Sequence, residues 1–416
     1  MSTTPLRQAT IHVNGERLLT TLAELATFGA DRRGGVSREG FSPPDDAARD
    51  YVATSARAAG LQPEIDQAGN LIVRMPSTET GRPTLLLGSH IDSVTNGGRL
   101  DGAYGVVAAL ETMRTFVERD VRPRYEPVMV AFANEEGALF PYPFWGSRAL
   151  VGSLERPEQV TDRHGRSIRG PLARAGGDLD DIAGAAWPPG SISAFLELHV
   201  EQGPVLEQSG QDIGIVDAIV GRVILDVTVT GEQNHAGSTP MDQRTDALVA
   251  AAEVVLAVEA VSRGRRLCLA STVGELTVDP GQTNVIPGRS HLTLELRDTN
   301  PQRLQQAELA VREAIAEVSG RTGVGVQVQA TMRSAPVPTD PLLMAAIGSV
   351  AEEMGLRHMI MPSGAGHDAQ IIAAAAPIGM IFVPSRGGLS HNPDEYTSDE
   401  DLVQGADVLA TVAARL

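Results

Sequence analysis

Histidine and acidic residues recur at the ends of strand-like segments, and this pattern constrains the fold more than any other feature of the chain. Apolar runs typical of buried strands occur at 84–90 and 127–133, with a helical pattern between them. His90 ends the first run, and Glu135 and Glu136 follow the second. Alternating strands and helices predict a mainly parallel sheet with helices on both faces. Ligands of such sheets bind beyond the carboxyl ends of the strands, where these residues lie.

The middle of the chain has a different order of elements and predicts a second domain. After about residue 210 the segments follow the order β-α-β-β-α-β, with an alanine-rich helix at 242–261. This order is the split βαβ, or ferredoxin-like, arrangement. We therefore expect an α/β fold in which one domain comprises 1–213 and 333–416, and an α+β domain is inserted at 214–332.

Composition excludes several classes of partner. The 416 residues carry a net charge of -18, which argues against nucleic acid or an anionic membrane, since both favour basic surfaces. The longest apolar runs, near 128–133 and 371–383, are too short or too interrupted to span a bilayer. Segment 1–7 is followed by no apolar stretch, so no secretory signal is predicted. The single cysteine, Cys268, permits no intramolecular disulfide, which fits a cytoplasmic protein.

Several histidine and acidic positions of the chain together suit a centre of two metal ions. Imidazole and carboxylate ligands suit zinc, manganese, cobalt or nickel, and two such ions sharing a carboxylate can produce a water nucleophile near neutral pH. A single histidine after a strand is more often structural than a ligand, so the combination carries the evidence. The candidate positions are His90, Asp101, the pair Glu135 and Glu136, His199 and His391.

The adjacent glutamates are the most unusual members of this set. They follow a strand that is expected to be buried, where an unpaired carboxylate is costly unless a metal or base is close. In an extended segment neighbouring side chains point in opposite directions, so one could bind metal while the other addresses substrate and water. The alternative is a solvated helix start, because acidic residues favour helix N-termini.

The chain resembles the hydantoinase/carbamoylase amidases, which include N-carbamoyl-L-amino acid hydrolases, allantoate amidohydrolases and β-alanine synthases. These enzymes are similar to the aminoacylase and carboxypeptidase-type dinuclear metallohydrolases, and the resemblance covers nearly the whole chain. Its most specific segments are 88–94, 196–204, 234–241 and 363–369. The peptidase relatives tend to carry Asp at the position of His199, whereas the carbamoylase branch carries His.

The resemblance implies how the ligands divide between two divalent ions in each subunit. His90 and His199 would hold one ion, Glu136 and His391 would hold the other, and Asp101 would bridge them.

The resemblance also implies residues that act beside the metals. Glu135 would be the general base. Asp92 would orient the His90 imidazole, a common support for ligating histidines, although the residues alone also allow it to cap the following turn. His367 and Asp368 would support the site from behind the ligands.

Further residues would bind the substrate, according to the same resemblance. His235 would reach the substrate carbonyl, commonly from the partner subunit, so a homodimer is expected, and the inserted domain is expected to act as a lid and in dimerisation. Gln202 would bind the ureido group. The substrate carboxylate would contact Asn284, Arg297 and the backbone N–H groups of Gly364 and Ala365. A guanidinium suits a carboxylate because it binds in a bidentate way, although spacing alone favours a surface ion pair for Arg297.

One departure from the family pattern concerns the choice of substrate. Many relatives have an arginine where this chain has Leu139, and the following segment 141–145 is unusually aromatic. The expected reaction is hydrolysis of N-carbamoyl-L-amino acids to amino acid, carbon dioxide and ammonia. Allantoate and N-acyl amino acids or dipeptides are alternative substrates. A binding protein without activity is a further alternative, which the intact ligand set and Glu135 disfavour.

Overall fold

The computed structural model describes residues 10–76 and 82–416, so segment 1–7, where no secretory signal is predicted, lies outside the described residues. No helix in the described ranges is long and apolar enough to cross a membrane. The inserted domain expected at 214–332 corresponds most closely to the second of two compact units. The first unit comprises Met1–Asp217 and Thr339–Leu416, and the second comprises Ala218–Pro338.

The described residues form fifteen strands and eleven α-helices. The strands are β1 (Gln62–Ile65), β2 (Leu71–Arg74), β3 (Thr84–His90), β4 (Glu126–Phe132), β5 (Ile192–Val200), β6 (Ile213–Ile219), β7 (Gly221–Thr230), β8 (Asn234–His235), β9 (Ala270–Asp279), β10 (Val285–Ile286), β11 (Arg289–Asp298), β12 (Gly325–Ser334), β13 (Val337–Pro338), β14 (His358–Ser363) and β15 (Ile378–Val383). The helices are α1 (Gly15–Leu25), α2 (Pro43–Ala58), α3 (Ala103–Arg119), α4 (Trp145–Leu150), α5 (Arg169–Arg174), α6 (Val205–Ser209), α7 (Ala247–Arg263), α8 (Pro301–Thr322), α9 (Pro341–Glu353), α10 (Asp368–Ile372) and α11 (Asp399–Arg415). Short 3₁₀ turns lie at Pro157–Gln159, Ile182–Ala185, Met241–Gln243 and Arg386–Gly388.

The larger sheet confirms the predicted α/β class. Its strand order is β1-β2-β4-β3-β5-β15-β6-β13, and β14 pairs with β6. The central neighbours β4, β3, β5 and β15 run parallel, and antiparallel strands flank them. The central strands are almost fully buried, as expected for continuous apolar runs covered by helices.

Helices α3 and α11 pack on this sheet through apolar side chains. Leu87 of β3, Val107 and Leu110 of α3 and Leu409 of α11 are fully buried in one cluster. Burying such a side chain stabilises the fold by about 1.5 to 3 kcal/mol. The cluster therefore fixes both helices against the central strands.

The second unit has the strand order of the split βαβ arrangement. Its antiparallel sheet has the order β12-β7-β11-β9, and α7 and α8 pack against it. Alternate residues of β7, such as Leu225 and Val227, are buried in the core. Helix α7 begins at Ala247, later than the predicted 242, because the side chain of Asp246 accepts the N–H groups of Leu248 and Val249 and caps the helix there.

Candidate metal centre

The carboxyl ends of the central parallel strands bring the predicted metal ligands together. His90 is the last residue of β3, and His199 lies next to the end of β5. Both imidazoles are buried, and their ring centroids are 6.1 Å apart. His391 lies in the loop after β15 with a positive φ of 53°, and its side chain is half exposed.

Asp101, in the turn before α3, lies at the centre of the cluster. Its Oδ1 atom is 3.2 Å from Nε2 of His199 and 3.7 Å from Nε2 of His90. Its Oδ2 atom is 3.1 Å from Nε2 of His391, which is 3.5 Å from Oε1 of Glu136. The donor atoms thus form two groups, each with all atoms within 4.8 Å of one another, and Asp101 belongs to both.

The hydrogen bonds of the two buried histidines are compatible with metal binding. Nδ1 of His90 is 2.9 Å from the carbonyl oxygen of Asp92, and Nδ1 of His199 is 2.8 Å from that of Val200. A carbonyl oxygen only accepts, so each Nδ1 carries a proton, and in the neutral imidazole each Nε2 offers a lone pair to the cluster. Nε2 of His199 also accepts the N–H of Gly102 at 3.1 Å. In neutral His199, Nε2 and Oδ1 of Asp101 are two acceptors that face each other and require a proton or a metal ion between them. Although burial opposes it, the contact with Asp101 raises the pKa of His199 to about 9, so a proton occupies this position in the metal-free protein.

The turn that carries Glu135 and Glu136 differs from the extended segment that we expected. Strand β4 ends at Phe132, and the glutamates follow in a bend. The residues on either side of them, Asn134 and Gly137, have positive φ angles of 50° and 67°. A positive φ at a residue other than glycine often marks a functional turn, and nothing in the strand-like pattern indicates it.

Asp92 holds this turn with its carboxylate. Oδ1 accepts the backbone N–H of Glu135 and Oδ2 accepts that of Glu136, each at 3.1 Å. The carboxylate lies 3.8 Å from Nδ1 of His90, farther than the carbonyl oxygen of Asp92 itself. Asp92 therefore supports the histidine through its backbone and the glutamates through its side chain, a combination that the sequence does not show.

Burial changes the acidity of the residues in the centre. Burial raises the pKa of Glu135 well above its ordinary value, and the nearby carboxylates of Asp368 and Glu136 raise it further. Burial also raises the pKa of Glu136 to about 8 and lowers that of His90 to about 4. The hydrogen bond with Asp101 raises the pKa of His391 to about 9. Protons thus compete with a metal ion for part of the ligand set.

Gln202 contacts the shared carboxylate. Its Nε2 donates to Oδ2 of Asp101 at 2.9 Å and to Oγ of Ser390 at 3.3 Å, and that hydroxyl also donates to Asp101 Oδ2 at 3.1 Å. The buried Oε1 atom of Gln202 has no hydrogen-bond partner among the described residues. The amide predicted to bind the ureido group thus lies beside the metal ligands.

Glu395 is a buried residue of the site that the sequence did not indicate. Its Oε2 atom accepts the N–H groups of Leu100 at 2.7 Å and Asp101 at 3.2 Å, and its Oε1 atom accepts the hydroxyl of Ser390 at 3.2 Å. It therefore fixes the backbone of the shared ligand. An acidic residue four positions after His391 was the available signal.

The segment 363–368 lies close to His199. The ring of His367 is 4.7 Å from that of His199, and its Nε2 atom is 2.7 Å from Oγ of Ser363. Asp368 is fully buried and interacts electrostatically with Glu135. The N–H of Ala365, predicted to bind a substrate carboxylate together with that of Gly364, donates to Oγ of Ser363 at 3.2 Å.

In the second unit, His235 and Asn284 are neighbours. Strands β8 and β10 pair, and the carbonyl of Asn284 accepts the N–H of Ala236 at 3.0 Å. Nδ1 of the exposed His235 accepts the N–H groups of Gly237 at 3.0 Å and Ser238 at 3.1 Å. The proton of the neutral imidazole is therefore on Nε2, which can donate to a carbonyl oxygen.

Arg297 lies in the four-stranded sheet, at the end away from His235 and Asn284, so one copy of this unit does not pair it with Asn284. Arg297 is opposite Arg222 at the start of β7, whereas His235 and Asn284 follow the opposite end of that strand, beyond Thr230. Eight positions along a strand correspond to roughly 26 Å. Nη2 of Arg297 donates to Glu295 at 2.7 Å.

Two candidate ligand groups that share a carboxylate, next to a glutamate outside both, are an arrangement that suits a metal-dependent hydrolase. Comparison with known proteins agrees: a family model described as Peptidase family M20/M25/M40 matches residues 86–415. The chain is 39% identical over 399 residues to an N-carbamoyl-L-amino acid amidohydrolase of Geobacillus stearothermophilus, covering 95% of this chain and 97% of the relative. It is 37% identical over 401 residues to an allantoate amidohydrolase of Escherichia coli strain K12, covering 95% and 96%.

A solved structure has the same fold. The crystal structure of an amidase of the hydantoinase/carbamoylase family from Burkholderia multivorans matches with a TM-score of 0.88 and 35% identity, covering 97% of this chain and 98% of that one. The chain therefore belongs to Peptidase family M20/M25/M40, within which it groups with the hydantoinase/carbamoylase amidases. It is a hydrolase that acts on carbon–nitrogen bonds other than peptide bonds in linear amides.

Proposed function

We propose that the protein hydrolyses N-carbamoyl-L-amino acids to the amino acid, carbon dioxide and ammonia, using two divalent metal ions in each subunit. The position of Asp101, with one oxygen toward each ligand group, carries this proposal. The N-carbamoyl-L-amino acid amidohydrolases of Geobacillus stearothermophilus and Paenarthrobacter aurescens, at 39% and 38% identity, support the substrate class.

In this proposal the ligands divide as the two groups of donor atoms do. His90 and His199 would hold one ion, Glu136 and His391 would hold the other, and Asp101 would serve both. When bound, two such ions lower the pKa of a shared water and polarise a carbonyl group. Zinc, manganese, cobalt and nickel all accept imidazole and carboxylate ligands.

Glu135 is the proposed proton acceptor. Its Oε2 atom lies 3.6 Å from Nε2 of His90, so the carboxylate reaches the cluster without belonging to either ligand group. Burial and neighbouring carboxylates raise the pKa of Glu135, which favours taking a proton from water and returning it to the leaving nitrogen. Glu135 thus serves both proton transfers of the reaction.

The substrate contacts of the second unit support a homodimer. His235 offers an Nε2 proton that suits an oxyanion, and Arg297 offers a guanidinium that suits a carboxylate. Arg297 lies near the start of β7, whereas His235 lies beyond the other end of that strand, in the two-stranded sheet. A single copy of the unit therefore cannot bring both to one small substrate. We infer that each active site takes His235 and Asn284 from one subunit and Arg297 from the other.

Allantoate is the second candidate substrate. Relatives named allantoate amidohydrolase, from Escherichia coli and Bacillus subtilis, are each 37% identical over 94% or more of this chain, close to the carbamoylase values. The segment after Glu136, which leads away from the active site, is aromatic and has Leu139 in place of the usual arginine. This segment distinguishes the chain from many relatives, so the choice between the two substrates is decided by assay.

The deciding experiment measures ammonia and amino-acid release by protein reconstituted with manganese, zinc, cobalt or nickel. The substrates are N-carbamoyl-L-amino acids, N-carbamoyl-β-alanine, allantoate and the matched N-acetyl amino acids. A higher kcat/KM for an N-carbamoyl-L-amino acid is the expected result. Preference for allantoate would replace the proposed substrate by the second candidate, and amino-acid release from N-acetyl acids alone would contradict both.

A further inference from the structure

The backbone that carries Glu135 and Glu136 leaves the sheet just before these residues. In the last paired positions, Ala131 lies opposite Leu71 of β2 and Phe132 lies opposite His90 of β3. The peptide groups that follow are buried and require other partners. The groups that form hydrogen bonds with these peptides therefore determine the positions of the two glutamates.

Arg49 of α2 supplies partners at the point of departure. Its buried guanidinium donates from Nη1 to the carbonyl of Ala131 at 3.2 Å and from Nη2 to that of Phe132 at 3.0 Å. Nη1 also donates to the carbonyl of Gly69 at 2.9 Å, and Nε donates to Oδ2 of Asp45 at 3.2 Å. Four hydrogen bonds in four directions fix the plane of the guanidinium.

Other side chains, together with the backbone N–H groups of residues 144–146, which donate to the carbonyls of 133–135, hold the next peptide groups. Oδ1 of Asn70 accepts the N–H of Ala133 at 3.0 Å, and the amide of Asn134 donates to the carbonyls of Phe140 and Tyr142 at 3.1 and 3.0 Å. Asp92 then accepts the N–H groups of both glutamates. Arg49 begins this series of contacts and contributes a positive charge, which also interacts electrostatically with Asp92.

Burying a guanidinium is costly, so its presence here calls for an explanation. Arg49 is only 3% exposed, and its carboxylate partner Asp45 is fully buried. A buried ion pair is weak evidence for stability, because well-packed apolar residues often serve as well. A fixed guanidinium does something that apolar side chains cannot do: it holds two successive carbonyl groups at a defined angle.

We propose that Arg49 is a positioning residue for the reaction, which sets the turn of Glu135 and Glu136 by holding the carbonyl groups of Ala131 and Phe132. The inference rests on the proposed function for the roles of the two glutamates. It predicts that Arg49 affects the turn more than it affects the rest of the fold.

Hydrogen–deuterium exchange of the metal-free protein tests the positioning without any assay of activity. In Arg49→Met, we expect the amides of Glu135 and Glu136 to exchange at least about tenfold faster than in the wild type, because local opening governs their protection. The control is Arg114→Met in α3. Arg114 is 7% exposed, ion-pairs with Glu111 at 3.5 Å and donates to the carbonyl of Ser55 at 3.2 Å. Unchanged exchange in Arg49→Met, or an equal increase in Arg114→Met, would overturn the proposal.

Kinetics of the metal-loaded protein give the second measurement. A displacement of about 1 Å at a catalytic group can cost about 10²-fold in rate, so we expect kcat of Arg49→Met to fall by about that factor. KM should stay within about threefold, because substrate binding uses other residues. Arg114→Met should keep its kcat within about twofold. A normal kcat for Arg49→Met with both metals bound would overturn the proposal.

Arg49→Lys keeps the proposal testable if Arg49→Met fails to fold. Lysine retains the charge but has fewer hydrogen-bond donors, in a less defined geometry. The increase in amide exchange and the fall in kcat should therefore both be intermediate between wild type and Arg49→Met. Wild-type exchange and kcat in Arg49→Lys would show that charge alone suffices and would overturn the positioning role. A wild-type protein that is inactive on every ureido acid would refute the proposed function, while the exchange measurement would still decide on Arg49.

Discussion

Metal binding at pH 7 should release at least about three protons per subunit, because the ligands hold protons that a metal ion must displace. Glu136 has a pKa of about 8, and His199 and His391 each have a pKa of about 9 in the metal-free protein, so all three are mostly protonated at pH 7. His90, with a pKa of about 4, contributes no proton. A carboxylate and a neutral imidazole are the forms that bind metal.

The sign of the pH dependence follows from these values. Between pH 6 and 7 the metal-free protein holds all three protons and the metal-bound protein holds none of them, so binding strengthens as the pH rises. The product of the two association constants should fall by about 10³-fold when the pH drops from 7 to 6. Isothermal titration calorimetry in buffers with different enthalpies of ionisation counts the released protons directly.

Two controls belong to this experiment. In Glu136→Gln, at metal concentrations that load both ions, the release should fall by about one proton, because the amide holds no acidic proton. At pH 10 the release from the wild type should fall below about half of its value at pH 7, since all three groups are then mostly deprotonated. Release of fewer than about two protons at pH 7 would refute the assignment of Glu136, His199 and His391 as protonated ligands.

Three further predictions test the reaction, the dimer and the second core. Glu135→Gln should lower kcat by at least about 10²-fold with metal content unchanged in elemental analysis; loss of metal would instead make Glu135 a ligand. Mixed subunits of inactive Glu135→Gln and His235→Ala should recover up to about a quarter of the wild-type activity, because half of the dimers then have one intact site; no recovery would contradict a shared site. Leu225→Ala should lower the free energy of unfolding by about 2 to 5 kcal/mol in urea denaturation, and a loss under about 1 kcal/mol would contradict its place in the core.

The sequence predicted those parts of the molecule that local patterns determine. Continuous apolar runs indicated the central strands, and the positions of His90 and His199 at strand ends followed directly. The α/β class and the parallel centre of the sheet are confirmed by the structure and its relatives. The assignment of Asp101 as the shared ligand came from the family resemblance, because spacing along the chain does not fix which carboxylate lies between two histidines.

The contacts that the sequence does not predict join residues that are far apart along the chain. Arg49 binds a carbonyl 82 residues away, and Glu395 binds an N–H group 295 residues away. Such contacts exist only once the sheet is assembled, and no local periodicity reports them. The bend at Asn134 was missed for another reason: its positive φ is stabilised by side-chain hydrogen bonds to Phe140 and Tyr142, within a segment whose composition resembles a strand.

Gln202 connects metal loading with substrate choice. Oδ2 of Asp101 faces three donors, the Nε2 atom of Gln202, the hydroxyl of Ser390 and Nε2 of His391. A carboxylate oxygen has two lone pairs, so it cannot keep all three contacts and also bind a cation. Ser390 remains tied to Glu395, whereas the Oε1 atom of Gln202 lacks a partner among the described residues. We expect the Gln202 amide to leave Asp101 when metal binds and to become available to the substrate.

Gln202→Leu tests this coupling because leucine has a similar size and cannot make either contact. Metal affinity should stay equal or rise, since the variant removes a competitor for Asp101 Oδ2. The preference for N-carbamoyl over matched N-acetyl amino acids should fall by about 10-fold or more in kcat/KM, because the ureido nitrogen loses an acceptor. Weaker metal binding with unchanged preference would instead make Gln202 a support for Asp101 alone. The distinction is chemical: an amide that only holds a carboxylate needs its N–H, whereas one that selects a ureido group needs its oxygen, the atom left without a partner among the described residues.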